Sequence, residues 1–227
     1  MIPKCYAHPD NPCNGHYGKC LDVKITNQCN GTCPFCIERC GYAPAPGSVR
    51  KLIDATLALN EYQTVLILGG EPLLYPHLME YLRGIRSKRE IFLTTNASLL
   101  PRLRSDLPEM GSLLTGINLS IHHYDAGINR GVVGVAVDGD GVKDAVRLRQ
   151  IGGATVRINP SLIRGIHTGG TDIRRMIGFA GEVGADGIRF AELQHAPEQF
   201  VSAYDLFADF PGVRLPANPF QDGCVCT

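Results

Sequence analysis

The chain has 227 residues, of which 22 are basic and 22 acidic, so its formal charge at pH 7 is zero. That balance offers no electrostatic footprint for a nucleic-acid backbone or an anionic membrane, and a hydrophobic content of 44% is too high for a disordered chain. No apolar run approaches the roughly 18 residues needed to cross a bilayer, and the opening MIPKCYAHPD has no apolar signal segment, so a soluble, cytoplasmic single domain with small additions is expected.

From Leu21 onward, short β-rich runs alternate with amphipathic stretches. The first strand is expected at Leu21–Thr26, followed by a cysteine-rich loop containing Pro44, Pro46 and Gly47. Ser48 is placed to cap a helix reaching about Asn60, with Leu52, Ala55 and Leu59 along one face. A second strand, Thr64–Leu68, stops at Gly69-Gly70-Glu71-Pro72; a helix from about His77 to Ser87 and a third strand at Glu90–Thr95 follow. Residues 101–110 read as a poorly formed helix bracketed by Pro101 and Pro108. Ile117–His122 is the fourth strand, Val142–Ile151 a helix, Ala154–Pro160 the fifth strand, Thr171–Val183 a helix and Gly187–Leu193 the sixth strand.

Strands alternating with helices imply parallel βαβ units with right-handed crossovers. The runs VLIL, IFL and INLSI are nearly continuous and apolar, as strands buried on both faces require. Six units fall short of the eight of a closed barrel, so an α/β fold of the partial (β/α)6 TIM-barrel type is expected. Chemistry in such sheets sits at the carboxyl ends of the strands. That rule selects the cysteine loop, Gly69–Pro72, Asn96, Ser120–Tyr124, Asn159 and Gln194. Residues 1–20 and 196–227 lie outside the alternation, as an amino-terminal extension and a carboxyl-terminal tail around a core of residues 21–195.

Nine cysteines are placed unevenly: Cys5, Cys13, Cys20, Cys29, Cys33, Cys36, Cys40, Cys224 and Cys226. An odd count in a long chain without a secretory signal speaks for metal rather than a disulfide scaffold. Cys29, Cys33 and Cys36 have the spacing C-x3-C-x2-C on one loop. Such a loop can bind three irons of a cubane and leave the fourth without a protein ligand; the alternative is a structural zinc completed by Cys40 or a distant ligand.

The sequence resembles the radical S-adenosylmethionine (radical SAM) superfamily over about residues 21–195. The cysteine triad with Phe35 before its last member, Gly69-Gly70-Glu71-Pro72, Thr94-Thr95-Asn96, the INLSIHHYD strand and Ile188–Gln194 match its motifs in order; the last two are similar to the branch that contains the molybdenum-cofactor protein MoaA. The resemblance implies that Cys29, Cys33 and Cys36 hold a [4Fe–4S] cluster. Its open iron would chelate S-adenosylmethionine, which one electron cleaves to methionine and a 5′-deoxyadenosyl radical that takes a hydrogen atom from substrate. Gly69 and Gly70 would allow close backbone approach to the ligand, Glu71 would sit near its ammonium, Ser120 at its polar end, and Phe35 and Gln194 near the adenine. Asn96 and Asn159 face the same mouth as weaker candidates. A low-potential donor of the flavodoxin or ferredoxin type is implied as partner.

The pattern departs at His122, which stands where the branch has Asp; His122 and His123 could meet substrate or relay a proton, or be structural. Arg157 and Arg189 could meet an anionic substrate or pair with nearby Glu, and His167 and His195 lie near the same rim. The terminal Cys5, Cys13, Cys20, Cys224 and Cys226 could hold a second [4Fe–4S] cluster or zinc, or be free or oxidised thiols. The substrate expected is a small metabolite or nucleotide derivative. A peptide substrate (a maturase) is the alternative enzyme reading, and a zinc-stabilised binding module the alternative outside enzymes.

Overall fold

A computed structural model describes residues 20–36, 47–137, 139–193 and 196–207. The readings placed on Cys5, Cys13, Cys40, Gln194, His195, Cys224 and Cys226 lie outside the described residues.

Six parallel strands follow one another in space in the order β1-β2-β3-β4-β5-β7. They are β1 (Cys20–Thr26), β2 (Thr64–Gly69), β3 (Glu90–Thr95), β4 (Gly116–Leu119), β5 (Thr155–Ile158) and β7 (Gly187–Ile188). A two-stranded parallel ladder pairs β6 (Ser161–Leu162) with β8 (Ala191–Glu192). The connections run through α1 (Val49–Ala58), α2 (Leu78–Gly84), α3 (Leu107–Leu113), α4 (Ala126–Val133), α5 (Gly139–Gly152) and α6 (Gly170–Glu182), and α7 (Ala203–Phe207) follows β8. Sequential order in a parallel sheet is what repeated right-handed crossovers produce, so the open partial-barrel expectation is met.

The core lies between sheet and helices. Val65, Ile67, Ile91, Leu93, Ile117, Leu119, Val156 and Ile158 are at most 2% exposed and pack with Leu82, Ile85, Met110 and Leu148 from the helices. Side chains alternate along a strand, and the intervening Leu66, Leu68, Phe92, Thr94 and Arg157 are only half-buried. The expectation of strands buried on both faces holds at β4, whose four residues are all buried, and is corrected at β2, β3 and β5, whose second face is the more open concave side of the barrel.

Other differences have local causes. In α1 the buried stripe is Val49, Ile53 and Thr56, with Leu59 38% exposed beyond its end, and Ser48 makes no capping hydrogen bond. The stretch around 101–110 is a 3₁₀ turn, Leu100–Leu103, followed by α3. Pro101 and Pro108 each stand in a first turn, where a missing N–H costs nothing. The fourth strand ends at Leu119 rather than His122. The fifth and sixth strands are each interrupted at Pro160, which has no N–H for the ladder; Arg189 N–H still donates to Ile158 O and Ala191 N–H to Pro160 O, so the register runs through unchanged. Helix α4 was not expected. Asp125 caps it by accepting from Ile128 N–H at 2.9 Å, and left-handed Gly134 (φ 83°) ends it. Helix α7, within the stretch expected to be irregular, buries Leu206 against Leu162 and Ile173.

Among the described residues, no helix is long and apolar enough to cross a membrane.

Candidate active site

The loop after β1 is hydrogen-bonded to the loop after β2. Gly70 N–H donates to Thr26 O and Glu71 N–H to Gln28 O, both at 2.8 Å, carrying the β1–β2 pairing past the strand ends. Gly69 has φ 147°, and a Cβ there would collide with Thr26 O; a Cβ on Gly70 would collide with Gln28 O. The glycines are thus required by the approach of the cysteine loop's own backbone, where the sequence suggested approach to a ligand. Gly70→Ala is expected to cost at least about 2 kcal/mol, measured as a drop in the urea midpoint.

Glu71 is 1% exposed. Its Oε1 accepts from Thr95 Oγ1 at 2.5 Å and Leu73 N–H at 3.1 Å, and its Oε2 from Asn96 N–H at 2.8 Å. Burial pushes its carboxyl above the usual range, while the bonds from Thr95, Asn96 and Leu73 pull it back. In this position the carboxylate braces the loop after β2 against the end of β3.

Asn96 belongs to a ring of side chains. Its Nδ2 donates to Asn30 Oδ1 at 2.9 Å, Asn30 Nδ2 donates to Ser98 Oγ at 2.9 Å, and Ser98 Oγ donates to Asn96 Oδ1 at 2.6 Å. This ties the residue after Cys29 to the end of β3. Sequence reasoning missed Asn30 and Ser98, whose short polar side chains carry no periodic signal.

The far side of the cysteine loop rests on α4. Thr32 N–H donates to Val133 O at 2.6 Å, Cys36 N–H to Cys33 O at 3.2 Å, and a Cβ on Gly134 would collide with Thr32. Cys33 and Phe35 pack with Val132, Val133, Ile163 and Leu193. Cys29 is exposed, and Cys33 and Cys36 are half-buried. Among the described residues no three His, Cys, Asp or Glu side chains converge on a point that one metal ion could occupy. Cys20 stands at the opposite end of β1, in register with Thr64, and burial and Asp22 push its thiol up to about 11.

The remaining candidates divide. Ser120 N–H donates to Thr95 O and Asn159 N–H to Leu119 O, both at 2.8 Å, so these two join the same rim. His122 and His123, 5% and 3% exposed, turn into the wall. Three imidazoles there share one arrangement: His122 Nδ1 accepts from Ser161 N–H at 3.0 Å, His123 Nδ1 from Asp125 N–H at 2.9 Å, and His167 Nδ1 from Ile163 N–H at 3.1 Å. Each ring therefore carries its proton on Nε2 when neutral. His122 and His167 replace a strand as acceptors for the segment around β6, and Phe35 meets the His122 ring edge-to-face at 5.2 Å.

Burial, with His167 nearby, pushes His122 down to about 4, and burial lowers His167 as well. Between pH 6.5 and about 4 the unfolded chain binds a proton at His122 that the native state refuses, so stability rises with pH across that window. The expected loss on acidifying through it is about 3 kcal/mol. Denaturation midpoints at several pH values should show it, and His122→Gln should flatten that slope while lowering stability at neutral pH.

Comparison with known proteins adds three findings. The Radical SAM superfamily model matches residues 23–171. A probable GTP 3′,8-cyclase of Sulfolobus acidocaldarius is 29% identical over 185 residues, 78% of this chain and 58% of that one. The GTP 3′,8-cyclase of Pelotomaculum thermopropionicum is 30% identical over 158 residues, 65% of this chain and 47% of that one. The chain spans about half the length of the curated relatives it matches. Among solved structures, Streptococcus suis SuiB bound to S-adenosylmethionine superposes with a TM-score of 0.66 at 20% identity, covering 84% of this chain and 43% of SuiB. A radical SAM methyltransferase from Sphaerobacter thermophilus gives 0.59 at 14% identity, covering 77% and 55%. These two likenesses are of fold.

Proposed function

The chain belongs to the radical SAM superfamily, and from that premise we propose that it binds a [4Fe–4S] cluster through Cys29, Cys33 and Cys36 and cleaves S-adenosylmethionine to start hydrogen abstraction from a small metabolite or nucleotide-derived substrate. The donor set suits the cluster. Three thiols on one short loop are the ligand type of iron–sulfur sites, and ligands spread over three irons need not converge on a point, as these do not. When bound, the reduced cluster supplies one electron that splits the sulfonium into methionine and a 5′-deoxyadenosyl radical.

What the chain's own residues do follows from the rim. Thr26, Gln28, Gly70 and Glu71 hold the cysteine loop to the loop after β2, the Glu71 carboxylate locks the loop after β2 to Thr95 and Asn96, and Val133 supports the cysteine loop from α4. Half-buried Ser120, joined to Thr95 through its N–H, would meet the ligand's polar end, and Phe35, whose ring meets His122 edge-to-face, would pack on the adenine. His122 and His123 keep this geometry and take no proton from substrate. The observation that supports the reading is this belt of hydrogen bonds, which holds the loop at Gln28 and Asn30 to the ends of β2 and β3 and at Thr32 to α4. The names of the relatives, GTP 3′,8-cyclases, favour a nucleotide-derived substrate over a peptide. A flavodoxin- or ferredoxin-type donor would deliver the electron.

Anaerobic reconstitution with iron and sulfide, followed by dithionite and S-adenosylmethionine, tests the reading. 5′-Deoxyadenosine and methionine should be released; a colourless protein that releases neither would refute it.

A further inference from the structure

A cavity of about 350 Å³ lies on the helix side of the sheet, between the loop after β4 and helices α4, α5 and α6. It shares no lining residue with the cysteine loop or with the turn at Gly69–Pro72. Its walls are mostly apolar, built from Ile121, Val137, Val142, Phe179 and Val183. A space of this size suits a small molecule, and such walls favour burial of a hydrocarbon body.

Two polar side chains line the same space although almost fully buried: Asn129 is 2% exposed and His123 3%. Each is committed to the backbone at one atom. Asn129 Oδ1 accepts from His122 N–H at 2.8 Å, which fixes the amide with Nδ2 as its other end. His123 Nδ1 accepts from Asp125 N–H at 2.9 Å, which puts the proton of the neutral ring on Nε2. The Tyr124 ring lies 4.1 Å from the imidazole and is itself held by Arg175, whose Nη1 donates to Tyr124 Oη at 2.9 Å. Neither Asn129 Nδ2 nor His123 Nε2 has a hydrogen-bond partner among the described residues. Donors in so dry a place are costly to leave unmade, and both call for an acceptor.

Charge selects the kind of acceptor. Lys143 stands at the opening with its side chain 75% exposed. Its partner Asp140, 3.7 Å away, is shared with Arg104 at 3.1 Å and so offsets Lys143 only in part. Glu182, the carboxylate among the lining residues, is exposed and stands toward the other end of the cavity. It precedes Val183 and Gly184, and Gly184 meets Val146 and Arg149 in the second half of α5. Gly139, which lines the cavity with the two donors, opens that helix, about 10 Å from Val146 along its axis.

We propose that this cavity is a second binding site, for a small carboxylate with an apolar body. The carboxylate accepts from Asn129 Nδ2 and His123 Nε2, Lys143 balances its charge, and the body lies against Val142 and Phe179. The site goes beyond the radical SAM reading and stands without it, since it uses none of the residues assigned to cluster or cofactor.

The test is calorimetric titration of the reconstituted full chain with 3-phenylpropionate and with its uncharged counterpart 3-phenylpropanol. The carboxylate should bind with a Kd of about 1 mM or tighter, and the alcohol at least about tenfold more weakly. Asn129→Asp keeps the oxygen that holds His122 and replaces the donor by a like charge. It should weaken carboxylate binding at least about tenfold and move the alcohol by less than about threefold. Val142→Phe fills the apolar wall and should weaken both probes at least about tenfold, with a urea midpoint near that of the wild type. Lys143→Gln should weaken the carboxylate by about threefold, and added salt should do the same. Absence of binding to the wild type, or equal affinity for acid and alcohol, overturns the proposal. Wild-type carboxylate affinity in folded Val142→Phe overturns it as well, whether or not Asn129→Asp folds, because the probe then sits elsewhere.

Discussion

Replacing Cys29, Cys33 and Cys36 together by alanine should abolish 5′-deoxyadenosine formation and the broad absorbance near roughly 400 nm that a [4Fe–4S] centre gives. Each single replacement should come close to the same result, because a cubane held by two thiolates loses both an anchor and the geometry that keeps its fourth iron open. The fold should survive. The cysteine loop is attached to the barrel by backbone hydrogen bonds from Thr32, Gly70 and Glu71 and by the Asn30–Asn96–Ser98 ring, none of which uses a thiol. Urea unfolding of the protein without its cluster should therefore differ little between wild type and triple variant. Product formation by the triple variant at the wild-type rate would show that the three thiols are not the cluster ligands. If about four irons per chain remain bound in the triple variant, a second cluster is present at other cysteines.

The largest single loss of stability is expected from Glu71→Ala. This change leaves the Thr95 hydroxyl and the N–H groups of Leu73 and Asn96 without their acceptor in a site 1% exposed. Each buried donor left unmade costs about 1–3 kcal/mol, so a total of about 3–5 kcal/mol is expected, a large part of the stability of an ordinary domain. Glu71→Gln should recover little. An amide can offer its oxygen to one side of the site, but its NH2 then faces an N–H or hydroxyl donor on the other. Because the same carboxylate joins the loop after β2 to the end of β3, both variants should also lose 5′-deoxyadenosine formation. Equilibrium urea unfolding measures the first effect and product yield the second; a loss below about 1 kcal/mol for Glu71→Ala would mean that the network contributes nothing net.

Much of the fold was legible because its signals are local. Apolar runs such as Thr64–Leu68 and Glu90–Thr95 ended within a residue of the observed strands, since a turn follows each of them directly. Helix α4 was not legible. Gly127 and Gly131 weaken its pattern, and the cap at Asp125 and the stop at Gly134 were the only signals present. The breaks at Pro160 were readable in principle, because a proline cannot donate in the middle of a ladder.

At the site, the chain by itself determined which residues gather at the carboxyl ends of the strands. The spacing of Cys29, Cys33 and Cys36, the Gly69–Pro72 turn and the strand-end positions of Asn96, Ser120 and Asn159 are properties of short segments, and βαβ topology carries them to one rim. Only the tertiary structure decided what most of those residues touch. Gly69 and Gly70 make room for Thr26 and Gln28, Glu71 serves Thr95 and Asn96, and His122 holds Ser161. These are contacts between segments far apart in the chain, and a hydrophobic period records which face of an element is buried without recording which polar group arrives to meet it.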